Sequence, residues 1–125
     1  MLARMDELCV MQAAVLKMLA NPRRLEIIHR LAEGPCEVGR LAEALGVPQP
    51  SVSQHLAVMR SAGIVEAARE GREVRYWLAD PDIIRACDIM HAVLLRRLTR
   101  LGMLGVAATP GPAATHDAPP IPQPV

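Results

Sequence analysis

The residues with the most varied chemistry in this 125-residue sequence are its three cysteines, Cys9, Cys36 and Cys87. Thiolates bind soft ions such as Cd(II) and As(III), and thiols also form disulfide or polysulfide bridges. His91 follows Cys87 by four residues, so a helix would place both on one face. The three cysteines and His91 are therefore candidate ligands for a soft metal ion or metalloid. If no metal is bound, the cysteines are candidate sites of modification. The alternative is a structural role, because free cysteine is a common small core residue.

The cysteine pattern also bears on the compartment. Three widely spaced cysteines do not form the framework of a secreted disulfide protein. The first residues lack the apolar stretch of a signal peptide, and no apolar run is long enough to span a membrane. We therefore expect a cytoplasmic protein without a membrane partner, in which the thiols stay reduced.

Catalysis is the first alternative to a binding function. Cys87 and His91 could be taken for a nucleophile and its base. Their segment carries an apolar stripe, however, and the sequence has neither a Gly-rich phosphate loop nor a carboxylate cluster around them. We therefore predict that the chain is not an enzyme and has no catalytic residues.

A second group of candidates is polar and falls in a predicted helix over residues 49–61. Its side chains are short enough to reach base edges when a helix N-terminus enters the major groove of DNA. The candidate base contacts are Gln49, Ser51, Ser53, Gln54 and His55. Arg60, at the far end of the helix, is better placed for a backbone phosphate. Arg69 and Arg72 lie in a later polar turn and are further candidates for phosphate contact.

The elements that position these residues follow from apolar spacing and capping signals. Asn21 and Asp80 each precede a proline, the usual start of a helix, and Gly46 lies where a helix should end. The pattern predicts helices over 5–19, from 22 to the stop at 34–35, and over 37–45, 49–61 and 80–104. Two strands over 64–68 and 74–78 flank a polar turn at 69–73, which predicts a β-hairpin. Residues 105–125 are rich in Ala and Pro and are predicted to be a disordered tail after a single domain of residues 1–104.

The fold class is therefore mainly α with a β-hairpin, an α+β arrangement. Phe is absent and there is one Tyr and one Trp, so the core must be built from aliphatic residues and Met. The net charge of +1 points to no particular partner. The last predicted helix is long and amphipathic. In a small domain its apolar face would be exposed unless a second copy of the chain packs along it. We expect a homodimer.

The sequence resembles the ArsR/SmtB family of bacterial repressors over residues 6 to about 100. The stretches that carry the resemblance are LANPRRL (19–25), VGRLAEALG (38–46), VSQHL (52–56), RSAGIV (60–65) and REGREVRY (69–76). The resemblance implies a winged helix-turn-helix fold, in which a homodimer forms through the first and last helices. It also implies binding to double-stranded operator DNA, with repression relieved by an effector.

Known effector sites of the family do not transfer to this sequence. Where one type has Cys-Val-Cys, this chain has Glu37-Val38-Gly39, with Cys36 one place earlier. In another type, zinc binds to the last helix, and Asp80 and Asp82 fall where the first half of that zinc site would lie. Its second half is occupied by Val93 and Arg96.

The persulfide-sensing type of the family pairs a cysteine of the second helix with one late in the last helix. Here the second helix has Ile27-Ile28-His29, and Cys87 comes early in the last helix. Cys9 and Cys87 remain as a pair on the two helices that the family uses for dimerisation. We predict that they carry the inducing signal, either by binding a soft ion or by modification, with Cys36 as a third candidate. The alternative is a winged-helix regulator or association module with no small effector, in which the cysteines are structural.

Overall fold

A computed structural model describes residues 4–103 of the chain. It contains five helices and three strands within that range: α1 (Met5–Leu19), α2 (Pro22–Leu31), β1 (Cys36–Glu37), α3 (Val38–Leu45), α4 (Gln49–Ser61), β2 (Val65–Glu70), β3 (Glu73–Leu78) and α5 (Asp82–Arg100). The predicted boundary at residue 104 and the predicted tail over 105–125 lie outside the described residues. Two units are distinguished, one up to Ile83 and one beginning at Ile84.

Local capping explains where the second helix starts. The Asn21 side chain accepts hydrogen bonds from the backbone N–H groups of Arg23 and Arg24, at 2.9 and 3.2 Å. Pro22 occupies the first helical position, where its missing N–H has no cost. The predicted start at Asn21-Pro22 is confirmed.

An aliphatic core joins the end of α1 with α2, α3, α4 and β2. Its fully or almost fully buried side chains are Leu19, Ile27, Ile28, Leu31, Leu41, Ala42, Val52, Leu56, Met59 and Val65. Each fully buried Leu, Ile, Val or Met contributes about 1.5–3 kcal/mol relative to leaving it exposed. The predicted core without aromatic residues is confirmed, and α4 supplies three of its members.

The link between α3 and α4 is short. Gly46 ends α3 in the left-handed conformation with φ 68°, and the Val47 N–H donates to the Ala42 carbonyl at 3.1 Å. Pro48 then precedes α4 in an extended conformation with no side-chain cap. A tight turn of this kind holds α3 and α4 as one helix-turn-helix.

The sheet contains one strand more than the sequence predicted. The β2–β3 hairpin is antiparallel, and β1 pairs with the other edge of β3, with Cys36 opposite Tyr76 and Glu37 opposite Arg75. The prediction that the third helix begins at residue 37 is therefore wrong by one residue. A two-residue strand is too short to show an apolar alternation, so it left no signal in the sequence.

The hairpin turn is tighter than predicted. The strands extend to Glu70 and Glu73, which are paired with each other, and the turn consists of Gly71 and Arg72. Gly71 has φ 65°, which a glycine adopts without strain. The predicted five-residue turn is wrong, and Arg69 lies in β2 rather than in the turn.

The last helix, α5, belongs to the second unit for almost all of its length. The Asp80 side chain accepts a hydrogen bond from the Asp82 N–H at 2.9 Å, so Asp80 caps the helix as predicted. Gly102 has φ 70° and the Met103 N–H donates to the Leu98 carbonyl at 3.0 Å, which closes the helix at Arg100. The predicted extension to residue 104 is wrong. No helix within residues 4–103 is long and apolar enough to cross a membrane.

Candidate nucleic-acid interface

Helix α4 has one buried face and one polar face. Val52, Leu56 and Met59 are fully buried on the side that meets the core. Of the five predicted base contacts, Gln49 and Gln54 are exposed, whereas Ser51, Ser53 and His55 are half-buried. The buried face holds α4 rigidly, so the two glutamines are presented to solvent from a fixed helix.

The first turn of α4 lies close to the first turn of α3. A Cβ atom added to Gly39 would lie 3.7 Å from the Gln49 side-chain oxygen, which is ordinary van der Waals contact. Gln49 therefore lies beside the first turn of α3, while Gln54 lies on the next turn of α4. Arg60, near the end of α4, is exposed and remains suited to a phosphate.

His55 is the predicted site residue with the most definite partner. Its Nδ1 accepts a hydrogen bond from Nε of Arg24 at 3.2 Å. Burial lowers the pKa of His55 below its ordinary value, and the positive charges of Arg24 and Arg23 lower it further. The lowered pKa favours the neutral imidazole, and because Nδ1 accepts this hydrogen bond, the neutral ring carries its proton on Nε2.

Sequence reasoning missed the role of Arg24 in this site. Its Nη1 donates to the Met18 carbonyl at 2.8 Å, so the guanidinium joins the last turn of α1 to α4. Arg24 and His55 are 31 residues apart. No local pattern links residues at that separation, and only the tertiary fold brings them together.

The hairpin carries the other two predicted contacts. Arg72 is exposed in the turn and makes neither a hydrogen bond nor an ion pair with any residue of the described part of the chain. Arg69, on β2, is exposed, and its Nε donates to the Gly71 carbonyl at 3.4 Å. Two cationic side chains therefore lie at the end of the hairpin, where they are available to phosphates.

Acidic residues also lie at this end of the hairpin, because Glu70 and Glu73 are the last strand residues before the turn. Arg75 Nε lies 3.6 Å from a Glu70 carboxylate oxygen, and Arg75 Nη2 lies 3.8 Å from one of Glu37, distances of charge contacts and not of short hydrogen bonds. A hydrogen bond with Glu37, and repulsion between the two carboxylates, raise the pKa of Glu73. The Arg75 guanidinium is therefore paired with two carboxylates of its own chain, whereas Arg72 has no such partner among the described residues.

The cysteines lie on three different elements. Cys9 is exposed on α1, and Cys36 is half-buried in β1, where its Sγ donates to the Glu37 carbonyl at 3.5 Å. Cys87 is half-buried on α5, and burial, followed by the charge of Asp88, raises its pKa. His91 lies one turn after Cys87 on α5 and is exposed. Residues 4–103 contain no group of three or more His, Cys, Asp or Glu side chains that could hold a metal ion within one chain.

Comparison with known proteins was made on sequence and on structure. The profile of a family described as "Bacterial regulatory protein, arsR family" matches residues 21–67. A biofilm growth-associated repressor of Agrobacterium fabrum is 38% identical over 92 residues, which cover 74% of this chain and 79% of that protein. The HTH-type transcriptional repressor SmtB of Mycobacterium tuberculosis is 50% identical over 66 residues, 53% of this chain and 49% of that relative.

Among solved structures, a homodimeric winged helix-turn-helix DNA-binding domain from Mycobacterium bovis resembles this chain. It is described as a possible ArsR-family transcriptional regulator. The TM-score is 0.68 at 36% identity, and the match covers 78% of this chain and 91% of that one. The fold is that of a winged helix-turn-helix domain, with α3 and α4 as the helix-turn-helix and the β2–β3 hairpin as the wing.

Proposed function

This chain belongs to the arsR family of bacterial regulatory proteins, and we propose that it represses transcription by binding operator DNA as a homodimer. Its relatives are transcriptional regulators, so it is a regulator and not an enzyme, as the sequence predicted. The observation that carries the proposal is α4, which exposes Gln49 and Gln54 on a helix anchored by three fully buried side chains.

In the proposed complex, the N-terminal half of α4 lies in the major groove. Gln54 pairs with an adenine through two hydrogen bonds, and Gln49 contacts a neighbouring base pair. His55 donates from Nε2 to a base or phosphate acceptor. Ser51 and Ser53 are half-buried, so their hydroxyl groups contact the sugar-phosphate backbone or a base through the accessible part of the side chain.

The wing and the end of α4 supply electrostatic contacts in this proposal. Arg72 and Arg69 at the end of the hairpin, and Arg60 on α4, neutralise phosphates and release the counterions bound to them. These contacts raise affinity for every sequence equally. Specificity therefore comes from α4 and affinity in large part from the arginines.

Exposed apolar side chains support the homodimer. Leu8 and Met11 on α1 are 45% and 63% exposed, and Met90 and Leu94 on α5 are 56% and 46% exposed. Large exposed apolar faces mark interaction surfaces in soluble proteins. A second copy of this chain is the partner that such faces suit, and the Mycobacterium bovis neighbour is described as homodimeric.

The DNA-binding proposal is tested with a duplex selected from a random library by the immobilised protein. The parent should bind it at least about a thousandfold more tightly than an unrelated duplex of the same length. Gln54→Ala should cost about 1–3 kcal/mol on the selected duplex and nothing on the unrelated one. Gln12→Ala, which removes an exposed glutamine from α1, is the matched control. If selection enriches no sequence, the proposed function is wrong.

For the effector, we propose a thiol-directed species: a soft metal ion or metalloid, or a reactive sulfur compound or oxidant. Cys9 lies on α1 and Cys87 on α5, the two helices with exposed apolar faces. Bridging or metallating these thiols in a dimer would alter the separation of the two α4 helices, which must match the repeat of DNA. Cys36 and His91 are further candidate ligands. Because the pKa of Cys87 is raised, a soft ion must displace a proton to bind it.

The effector proposal is tested by release from the selected duplex. Arsenite, cadmium, zinc, peroxide and polysulfide are each added to the parent and to three single variants. Cys87→Ser and Cys9→Ser should bind DNA like the parent but resist release, whereas Cys36→Ser should still be released. If Cys87→Ser is released as readily as the parent by every reagent, the cysteines are structural, and a regulator without a small effector is the correct alternative.

A further inference from the structure

The Arg24 guanidinium makes two hydrogen bonds in two directions. Nη1 donates to the Met18 carbonyl in the last turn of α1 at 2.8 Å, and Nε donates to Nδ1 of His55 on α4 at 3.2 Å. The base of the Arg24 side chain is itself fixed, because its backbone N–H is capped by Asn21. A planar guanidinium with fixed donor directions can hold two acceptors in a defined relative position, which a lysine ammonium cannot.

The contact also selects one form of the His55 imidazole. A ring nitrogen that accepts a hydrogen bond carries no proton, so the single proton of the neutral ring lies on Nε2. Nδ1 is directed to α2, and Nε2 is left as the donor. Without Arg24, the ring could rotate about its side-chain torsions and exchange between its two neutral tautomers.

We propose that Arg24 is a positioning residue for DNA recognition, which fixes the orientation and tautomer of His55 so that Nε2–H is presented to the duplex. The inference rests on the proposed DNA-binding function. Arg24 contributes through His55 in this account, and not by contacting a phosphate itself. Its bond to the Met18 carbonyl also makes the His55 position depend on the last turn of α1.

The neighbouring arginine provides an internal control. Arg23 lies on the same turn of α2, but its Nη1 is paired with the Glu26 carboxylate at 3.3 Å on the surface. Both arginines lie close enough to His55 for their charges to act on it. Only Arg24 is hydrogen-bonded to the ring. Replacing each by lysine keeps the charge and removes the guanidinium geometry, so any difference between the two variants reports the hydrogen bonds.

The first measurement is the affinity for the selected duplex in a double-mutant cycle. Arg24→Lys should weaken binding roughly tenfold, the usual loss for a hydrogen bond to a charged group, whereas Arg23→Lys should leave it within about twofold. In a His55→Ala background, Arg24→Lys should have no further effect, because its partner is gone. Equal losses in both backgrounds would overturn the inference and indicate that Arg24 contacts DNA directly.

The second measurement does not need DNA. Nitrogen-15 NMR of the imidazole in the free parent should show His55 protonated on Nε2 alone, and Arg24→Lys should show a mixture of the two tautomers. An unchanged tautomer in the variant would overturn the inference even if DNA binding is lost. Arg24→Met serves as a second variant that keeps the aliphatic stem, and thermal unfolding confirms that each variant is folded. A parent that binds no duplex selectively would instead contradict the proposed function, while the NMR result would still decide whether Arg24 positions the ring.

Discussion

Helix α4 and the terminal helices α1 and α5 are built in opposite ways. α4 has 13 residues and places three of them, Val52, Leu56 and Met59, in full burial. α1 has 15 residues with only Leu19 buried, and α5 has 19 residues with none buried. The core-facing side of α4 is therefore buried within its own chain. Within the described residues, α1 and α5 keep exposed apolar side chains, which is the arrangement expected of the proposed homodimer.

The polar residues of α4 and those of α1 differ in how firmly they are held by their own chain. On α4, His55 is hydrogen-bonded to Arg24, and the side-chain oxygen of Gln49 lies near Gly39 of α3. On α1, Cys9 is exposed, and no cluster of metal-ligating residues forms within the described part of one chain. A side chain proposed to contact DNA, His55, is already held by a hydrogen bond within its own chain. Under the proposed function, a side chain that senses an effector would be organised by a partner copy.

The largest expected effect is a difference in stability between a substitution in α4 and one in α5. Leu56→Ala should lower the free energy of unfolding by about 2–5 kcal/mol at every protein concentration, because it leaves a cavity in the core. Leu94→Ala, on α5, should reduce stability only in the dimer. Denaturant unfolding over a dilution series checks both. A concentration-independent loss for Leu94→Ala would show that this side chain is already buried within one chain.

The next effect concerns association. Met11→Glu should raise the dissociation constant of the dimer by at least about a hundredfold, because it buries an unpaired charge in the apolar face of α1. Gln12→Glu introduces the same charge at the adjacent position and is the control. Sedimentation equilibrium gives the mass of each variant. A Met11→Glu protein that remains a dimer at the parent's concentration would remove α1 from the interface.

A smaller effect is expected at the wing. Arg72→Ala should weaken binding to the selected and the unrelated duplex alike and reduce the slope of log K against log salt by about 0.9, as for one phosphate. Arg75→Ala is the matched control, because Arg75 is paired with Glu37 and Glu70. Titrations at several salt concentrations measure the slope. A change in sequence preference for Arg72→Ala would mean that the wing contacts bases.

Sequence alone predicted what local signals determine. Asn21-Pro22 predicted the start of α2, Gly46 the end of α3 and apolar spacing the whole of α4, whereas the winged helix-turn-helix fold was implied by the family resemblance. The two-residue strand β1 gave no periodic signal. Gly102 ends α5, although the apolar pattern of the sequence continues to Leu104.

The candidate site was predicted less completely than the fold. The polar residues of α4 and the wing arginines follow from their position in the motif. The Arg24–His55 contact does not, because it depends on how α2 packs against α4 across 31 residues of sequence. The roles proposed for Cys9 and Cys87 involve a second chain, whose position no pattern in one sequence describes.

The account's central claim is that α4 contacts DNA and that α1 and α5 bring two copies together. It is tested most directly by a hydroxyl-radical footprint on the selected duplex. Two copies should protect two half-sites on one face of the DNA, with centres about one helical turn (roughly 10 base pairs) or a multiple of it apart. Met11→Glu should lose both protections together at a concentration where the parent gives full protection. A single protected half-site, unchanged in Met11→Glu, would contradict the account.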